Sequence, residues 1–198
     1  PNKILPGGYV MGTTGTRPGK KAYQDQIDLV QVDWDGNIVW TFDKTELIAD
    51  GDKDPVYMAR QHHDYQREGS TVGYYYPGGE PKTDSGNTLI LTHENLYNHD
   101  ISDKRLIDDK IIEVDWEGNI LWSWRASDHF DQLGFDEAAK NALFRNPFLQ
   151  GDAGGAWMHI NSMSALGENK WYDQGDERFH QDNMLIDART AYIQASIS

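Results

Sequence analysis

The sequence has no cysteine, and it sets only 18 lysines and arginines against 32 aspartates and glutamates. Each deficit removes a class of function. Without cysteine there are no disulfides, no thiol catalysis and no Cys-ligated metal, a usage that fits cytosol and periplasm equally. The few basic residues are scattered singly on a chain of net charge −14. The clustered Lys/Arg footprint of a nucleic-acid or anionic-membrane binder is therefore missing, and DNA, RNA and lipid surfaces are not expected partners. No run of 18 apolar residues occurs, and Pro1-Asn2-Lys3 does not lead into a signal-peptide core. Nor is there a phosphate-binding glycine motif, a nucleophile elbow or an HExxH helix.

What is present is a globular composition with an internal repeat. Apolar residues make up 38% and aromatics 12%, enough for a real core. The nonapeptide Val32-Asp33-Trp34-Asp35-Gly36-Asn37-Ile38-Val39-Trp40 returns, 82 residues later, as Val114-Asp115-Trp116-Glu117-Gly118-Asn119-Ile120-Leu121-Trp122, with seven of nine positions identical. Each copy reads as a hairpin, because Asp-Gly-Asn or Glu-Gly-Asn tolerates positive φ between β-branched and aromatic runs. Both hairpins follow an apolar strand ending in threonine, Tyr9 to Thr13 and Thr88 to Thr92. An earlier, inner strand is expected at His63-Asp64-Tyr65-Gln66 and again at His159-Ile160-Asn161-Ser162. The latter is followed by strands at Asn183 to Ile186 and Ala191 to Ile197.

These spacings predict an all-β fold, a β-propeller of four-stranded antiparallel blades. About two and a half blades are expected, in one partial domain over 1–198 with units at approximately 1–60, 61–157 and 158–198. The first unit is expected to lack its inner strand. A propeller needs roughly four to eight blades to leave no long exposed edge, so the remaining blades are expected from missing sequence or from another chain. Segments 44–60, 67–86, 93–109 and 126–156 read as loop excursions, one of them holding a short helix over Asp136 to Phe144 with Asp136 as N-cap.

His63 and His159 are the sharpest candidates for chemistry. The register puts each near the start of an inner strand of successive units, where side chains converge on the hub, and paired imidazoles there can bind an anion, ligate a metal or relay protons. The ordinary alternative is two half-buried histidines bonded to neighbouring strands; their repeated placement favours function. Arg189 ends a strand, and its guanidinium fork suits a tetrahedral oxyanion. A strand-end arginine paired with a carboxylate is the reading that sequence alone favours. Asn161 is expected on the same side as His159, to hydrogen-bond a substrate or cap a turn. His62 is expected on the opposite face from His63, as a structural residue, and His93, His99, His129 and His180 in solvated loops. Asp50, Asp52 and Asp54 alternate like calcium-loop ligands, but the glycine and glutamate of that motif are missing. Trp34, Trp40, Trp116, Trp122 and Trp124 recur with the hairpins and read as packing between units.

Several of these elements resemble the PAPS-independent arylsulfate sulfotransferases, a family of bacterial six-bladed propellers. They are His63-Asp64-Tyr65-Gln66 with Gly86 to Leu91, the hairpin Ile112 to Trp122, and Trp157-Met158-His159-Ile160-Asn161-Ser162 with Asn183 to Arg189. They cover most of 60–193, and the Trp-x-His-x-Asn-Ser segment with a downstream strand ending in Arg is the specific part. The tail Tyr192 to Ser198 departs from the pattern, lacking the Asp-x-x-Gly-x-x-x-Trp hairpin of the other units. The resemblance implies that His63, His159 and Arg189 hold a sulfuryl group, which passes from an aryl sulfate donor to a phenolic acceptor. A third, nucleophilic histidine belongs to a later blade, and no remaining histidine of this sequence matches its motif. The resemblance also implies that no cofactor or metal is required, that the location is periplasmic or secreted, and that this chain alone is inactive. Two other readings stand beside it. One is a non-catalytic propeller that binds a ligand or partner, in which the His63 and His159 rings diverge. The other is a metal-dependent hydrolase or lyase using these histidines with a nearby carboxylate such as Asp64.

Overall fold

The computed structural model describes residues 2–15, 25–49, 54–70, 79–146, 149 and 156–198. The chain is mostly β, in antiparallel sheets of which none closes on itself. The first sheet runs β1 (Lys3–Ile4), β2 (Val10–Thr13), β3 (Leu29–Val32) and β4 (Ile38–Phe42), in that order across the sheet. A two-stranded sheet of β5 (Glu46–Ile48) and β6 (Val56–Met58) follows. The second large sheet orders β7 (Gln61–Arg67), β8 (Thr88–Tyr97), β9 (Arg105–Val114) and β10 (Ile120–Arg125). The third has β11 (Ile160–Ala165), β12 (Met184–Ala188) and β13 (Ile193–Ile197). Every pairing among these sheets joins strands consecutive in the chain, which short turns permit only for antiparallel neighbours.

The duplicated nonapeptide folds into the same turn twice, and the hydrogen bonds explain why its residues recur. Asp33 accepts from the Asn37 main chain at 2.8 Å and from the Asn37 amide at 2.9 Å; Asp115 accepts from the same two groups of Asn119 at 2.7 and 2.8 Å. These bonds hold both aspartates below the usual carboxylate range. Gly36 at φ 85° and Gly118 at φ 84° occupy the left-handed position that a side chain would strain.

The second sheet buries both faces. Ile90, Ile112 and Val114 pack with Met11, Leu29 and Phe42 of the first sheet and with Leu5 just after β1, while Leu91 and Ile111 pack with Ile160, Met163 and Ile186 of the third. Between the first two sheets, the Arg67 guanidinium lies 4.7 Å from the rings of both Trp40 and Trp116, and the Trp40 indole donates to the Trp116 carbonyl. These two tryptophans do pack between sheets; Trp34, by contrast, is 85% exposed. The edge strand β7 reaches both ways. The Tyr65 hydroxyl donates to the Met11 carbonyl at 2.9 Å, whereas Asp64 accepts from the Met163 N–H at 3.1 Å and Gln66 from the Ala165 N–H at 3.2 Å. Alternating residues of one strand thus bond to the first and third sheets.

Several expectations need correction. The first sheet has a fourth strand before Tyr9, the two-residue β1. The excursion 44–60 contains β5 and β6. The excursion 93–109 is not a loop: β8 and β9 pair continuously from Thr88↔Val114 to Tyr97↔Arg105. Neither glycine nor proline stands between Thr92 and Leu106 to end the strands earlier. Over the described part of 126–156, a 3-10 helix, Ala126–Leu133, precedes α1, Glu137–Phe144, whose N-cap Asp136 accepts from the Ala139 N–H at 2.8 Å. Asp50 and Asp52 of the calcium-like alternation lie outside the described residues. Among the described residues no helix is long and apolar enough to cross a membrane.

A methyl group added at Gly118 meets only Phe42, at an ordinary 3.6 Å, so strain at positive φ is the whole cost of Gly118→Ala. We expect the urea-unfolding free energy to fall by about 1 kcal/mol. An unchanged midpoint contradicts the turn as described.

Candidate functional site

The edge strands β7 and β11 of the second and third sheets carry the same irregularity. His63 in β7 and His159 just before β11 both have φ 54°, an uncommon value for a residue with a side chain, and beside each the pairing with the next strand slips, between Gln61 and Tyr65 and between Ile160 and Ser162. The two bulges aim the rings at each other. His63 Nε2 lies 2.9 Å from His159 Nε2, the rings edge to face with centroids 5.0 Å apart. His63 is exposed and His159 buried. Burial, with the positive charge of Arg189, lowers His159 to about 4; burial, His93 and Arg189 lower His63 as well. Both rings are therefore neutral at pH 7, one Nε2 donating and the other accepting.

Arg189 is bonded to this pair through its main chain, its N–H donating to the His159 carbonyl at 3.0 Å. Its side chain is exposed, and among the described residues it forms no ion pair with a carboxylate. The strand-end ion pair that sequence alone favoured does not form there. Asn161 and Arg189 line one surface depression with Asp187, Tyr192 and Gln194, and the Asn161 Oδ1 has no hydrogen-bond partner among the described residues. The bulge at Ile160 breaks the strand alternation on which Asn161's expected side rested.

Behind the pair lies an array of buried charge that the sequence reading missed. Arg60, itself at φ 51°, donates through Nε to Asp25 Oδ2 at 2.7 Å and through Nη1 to Glu46 at 2.6 Å. Asp25 Oδ1 lies 2.6 Å from His93 Nδ1. The His93 ring stacks on His62, centroids 3.6 Å apart and planes within 10°. Asp109 Oδ1 lies 3.2 Å from His62 Nε2 and 3.6 Å from His93 Nε2. Asp109 also accepts from the main-chain N–H groups of His159, at 2.9 Å, and Ile160, at 3.0 Å. Burial opposes charge throughout, but the Asp25 carboxylate and its Asp109 counterpart outweigh it and hold His93 up at about 9. His62, buried beside that cation, falls to about 4. Burial pushes the Asp109 carboxyl up, yet the two imidazoles bring it well below the usual range.

His62 and His93 thus depart from expectation. His62 joins the same cluster as His63, because the left-handed residue breaks the alternation that was to separate them. His93 is a strand residue, buried, and paired across the ladder with Asp109. The signal was available in Leu106-Ile107-Asp108-Asp109-Lys110-Ile111-Ile112, where two adjacent acids interrupt an apolar strand. They face opposite ways: Asp108 accepts from the Trp157 indole at 2.6 Å and from the Ser127 N–H at 3.2 Å, and burial raises it to about 6. Asp64, the carboxylate of the metal reading, is engaged by Lys3 as well as by Met163.

Three ligand atoms, from His62, His93 and Asp109, lie within 4.8 Å of one another, a spacing that a metal ion can use. The near-parallel imidazole planes oppose it, since in-plane lone pairs of stacked rings run side by side and do not converge on one ion. A proton on His93, between two carboxylates, fits this arrangement better.

Residues 80–172 match the arylsulfotransferase (ASST) family model. The arylsulfotransferase resemblance drawn from the motifs therefore holds over that stretch, which contains His93, Asp109 and His159; His63 and Arg189 lie outside it. No curated protein and no solved structure matches the chain.

The raised His93 fixes the sign of one pH dependence. Its stabilising contribution is complete below the unfolded value of 6.5 and is lost as pH rises through about 9. Over this window the unfolding free energy should fall by about 1.4 kcal/mol per pH unit, one proton's worth. Asp25→Asn should flatten the slope in urea titrations, and an equal slope in both proteins contradicts the ion pair.

Proposed function

We propose that the chain is part of a β-propeller of the arylsulfotransferase kind, with units at about 1–60, 61–157 and 158–198, moving a sulfuryl group from an aryl sulfate to a phenol. In this reading β1, β7 and β11 line the hub, and His63, His159 and Arg189 hold the three non-bridging oxygens while Asn161 bonds the substrate. A further histidine, assigned to no residue here, takes the sulfuryl group from the donor oxygen and passes it to the acceptor. The 2.9 Å approach of His63 to His159, from matching bulges of two sheets, carries the reading, in a chain whose 80–172 segment matches the family.

The chemistry suits these groups. Sulfuryl transfer spreads charge over the non-bridging oxygens, so fixed donors stabilise the transition state without a nucleotide. His63, being exposed, is the ring free to move aside for an oxyanion; His159 is the anchored one. Burial is the main cause that keeps both imidazoles neutral, and the Arg189 charge adds to it; an arriving anion offsets that added charge, so binding favours protonation of the pair. The alternative of a non-catalytic binding propeller required the rings to diverge, and their convergence disfavours it.

In the complete protein, His159→Ala should lower p-nitrophenyl sulfate turnover by roughly 10²–10³-fold, the range for removing one charge-stabilising donor. Undiminished turnover would refute the assignment. Sulfate binding should strengthen as pH falls from 8 to about 6; affinity independent of pH over that range contradicts the proposed coupling to protonation.

A further inference from the structure

We propose that Asp109 is the positioning residue of this site. By accepting the main-chain N–H groups of both His159 and Ile160, it fixes the left-handed turn that aims the His159 ring at His63. What the aimed ring then holds, a sulfuryl group, rests on the arylsulfotransferase reading; the aiming does not.

The argument starts from the strain. A histidine at φ 54° persists only where its surroundings over-determine it, at a cost on the order of 1–3 kcal/mol. At His159 three main-chain bonds do this. The Asp109 carboxylate takes the N–H groups of His159 and Ile160, and the Arg189 N–H meets the His159 carbonyl. The two bonds to Asp109 are charge-assisted, which makes them the stronger ones. They also come from outside the third sheet, since Asp109 lies on β9 of the second. Together with Asp64 and Gln66, which bond to the Met163 and Ala165 N–H groups, Asp109 therefore sets the spacing between the sheets, and it alone bonds the backbone at His159 itself.

Asp109 is itself held rigidly. It is fully buried, with His62 and His93 both against Oδ1. His93 is its cross-strand partner and is anchored on the other side by Asp25, which Arg60 anchors in turn. The charged and titratable groups around the carboxylate are His62, His63, His93 and the adjacent Asp108 from the second sheet and His159 from the third, with Arg189 beyond. An asparagine at 109 keeps the shape but offers one acceptor oxygen where two N–H groups need one each, and its NH₂ then faces a donor.

The test uses the whole chain with ¹⁵N-labelled imidazoles. In Asp109→Asn the His159 ring should lose its fixed tautomer and its titration should depart from the wild-type curve, while His99, His129 and His180 report unchanged shifts as internal references. Sulfate affinity should fall by about tenfold or more, as for other losses of an orienting partner. His159 signals that match wild type in tautomer and titration overturn the proposal. If the variant does not fold, the wild type still decides. The amide protons of His159 and Ile160 should be protected from exchange and show no carboxyl titration step between pH 4 and 8, and rapid exchange or such a step overturns it equally. If wild-type chain binds no sulfate at any pH, the arylsulfotransferase reading fails while the imidazole signals still judge Asp109.

Discussion

A buried carboxylate on the second sheet, Asp109, takes two main-chain N–H groups from the third, and the geometry of the candidate site depends on that contact. It joins the sheets, sustains the left-handed histidine, and requires a cation nearby, which His93 supplies between Asp25 and Asp109. An isolated buried carboxylate is costly, and leaving either partner unpaired costs more than the pair gains. The array of Arg60, Asp25, His93 and Asp109 is accordingly an all-or-none unit. Its members come from the segment before β3, the residue just before β7, and the paired strands β8 and β9, so the second sheet is completed by side chains from elsewhere.

The same device recurs along β7. Asp64 and Gln66 on β7 each accept a main-chain N–H from β11, as Asp109 does from β9. Neighbouring sheets are therefore tied by polar side chain to backbone bonds as well as by the apolar layers on both faces of the second sheet. Such bonds fix relative height and register, which a greasy interface leaves free. Two rings meeting at 2.9 Å need that precision.

Much of the strand arrangement was legible because it rests on local chemistry. The Asp-x-x-Gly-Asn turns, the strands beginning near His63 and His159, and the Asp136 cap each depend on a handful of contiguous residues. What escaped depends on distance or on missing punctuation. Strands β8 and β9 run on past Thr92 because nothing stops them, and Asp25 meets His93 across 68 residues of sequence. The positive φ shared by His63 and His159 was also invisible, since no glycine marks either position. That hidden bulge explains why His62 and Asn161 were placed by an alternation that the backbone does not keep.

Taken together, the features make a small electrostatic stage. The Arg189 side chain is exposed, the imidazoles are kept neutral beside it, and a buried charge array holds their frame. The most direct measurement is a crystal soaked with selenate, an oxyanion of the same shape as sulfate and visible by its anomalous scattering. The account predicts a peak within hydrogen-bond reach of His63 Nε2, His159 Nε2 and the Arg189 guanidinium. Density only elsewhere on the surface, or imidazoles turned away from each other, would contradict it.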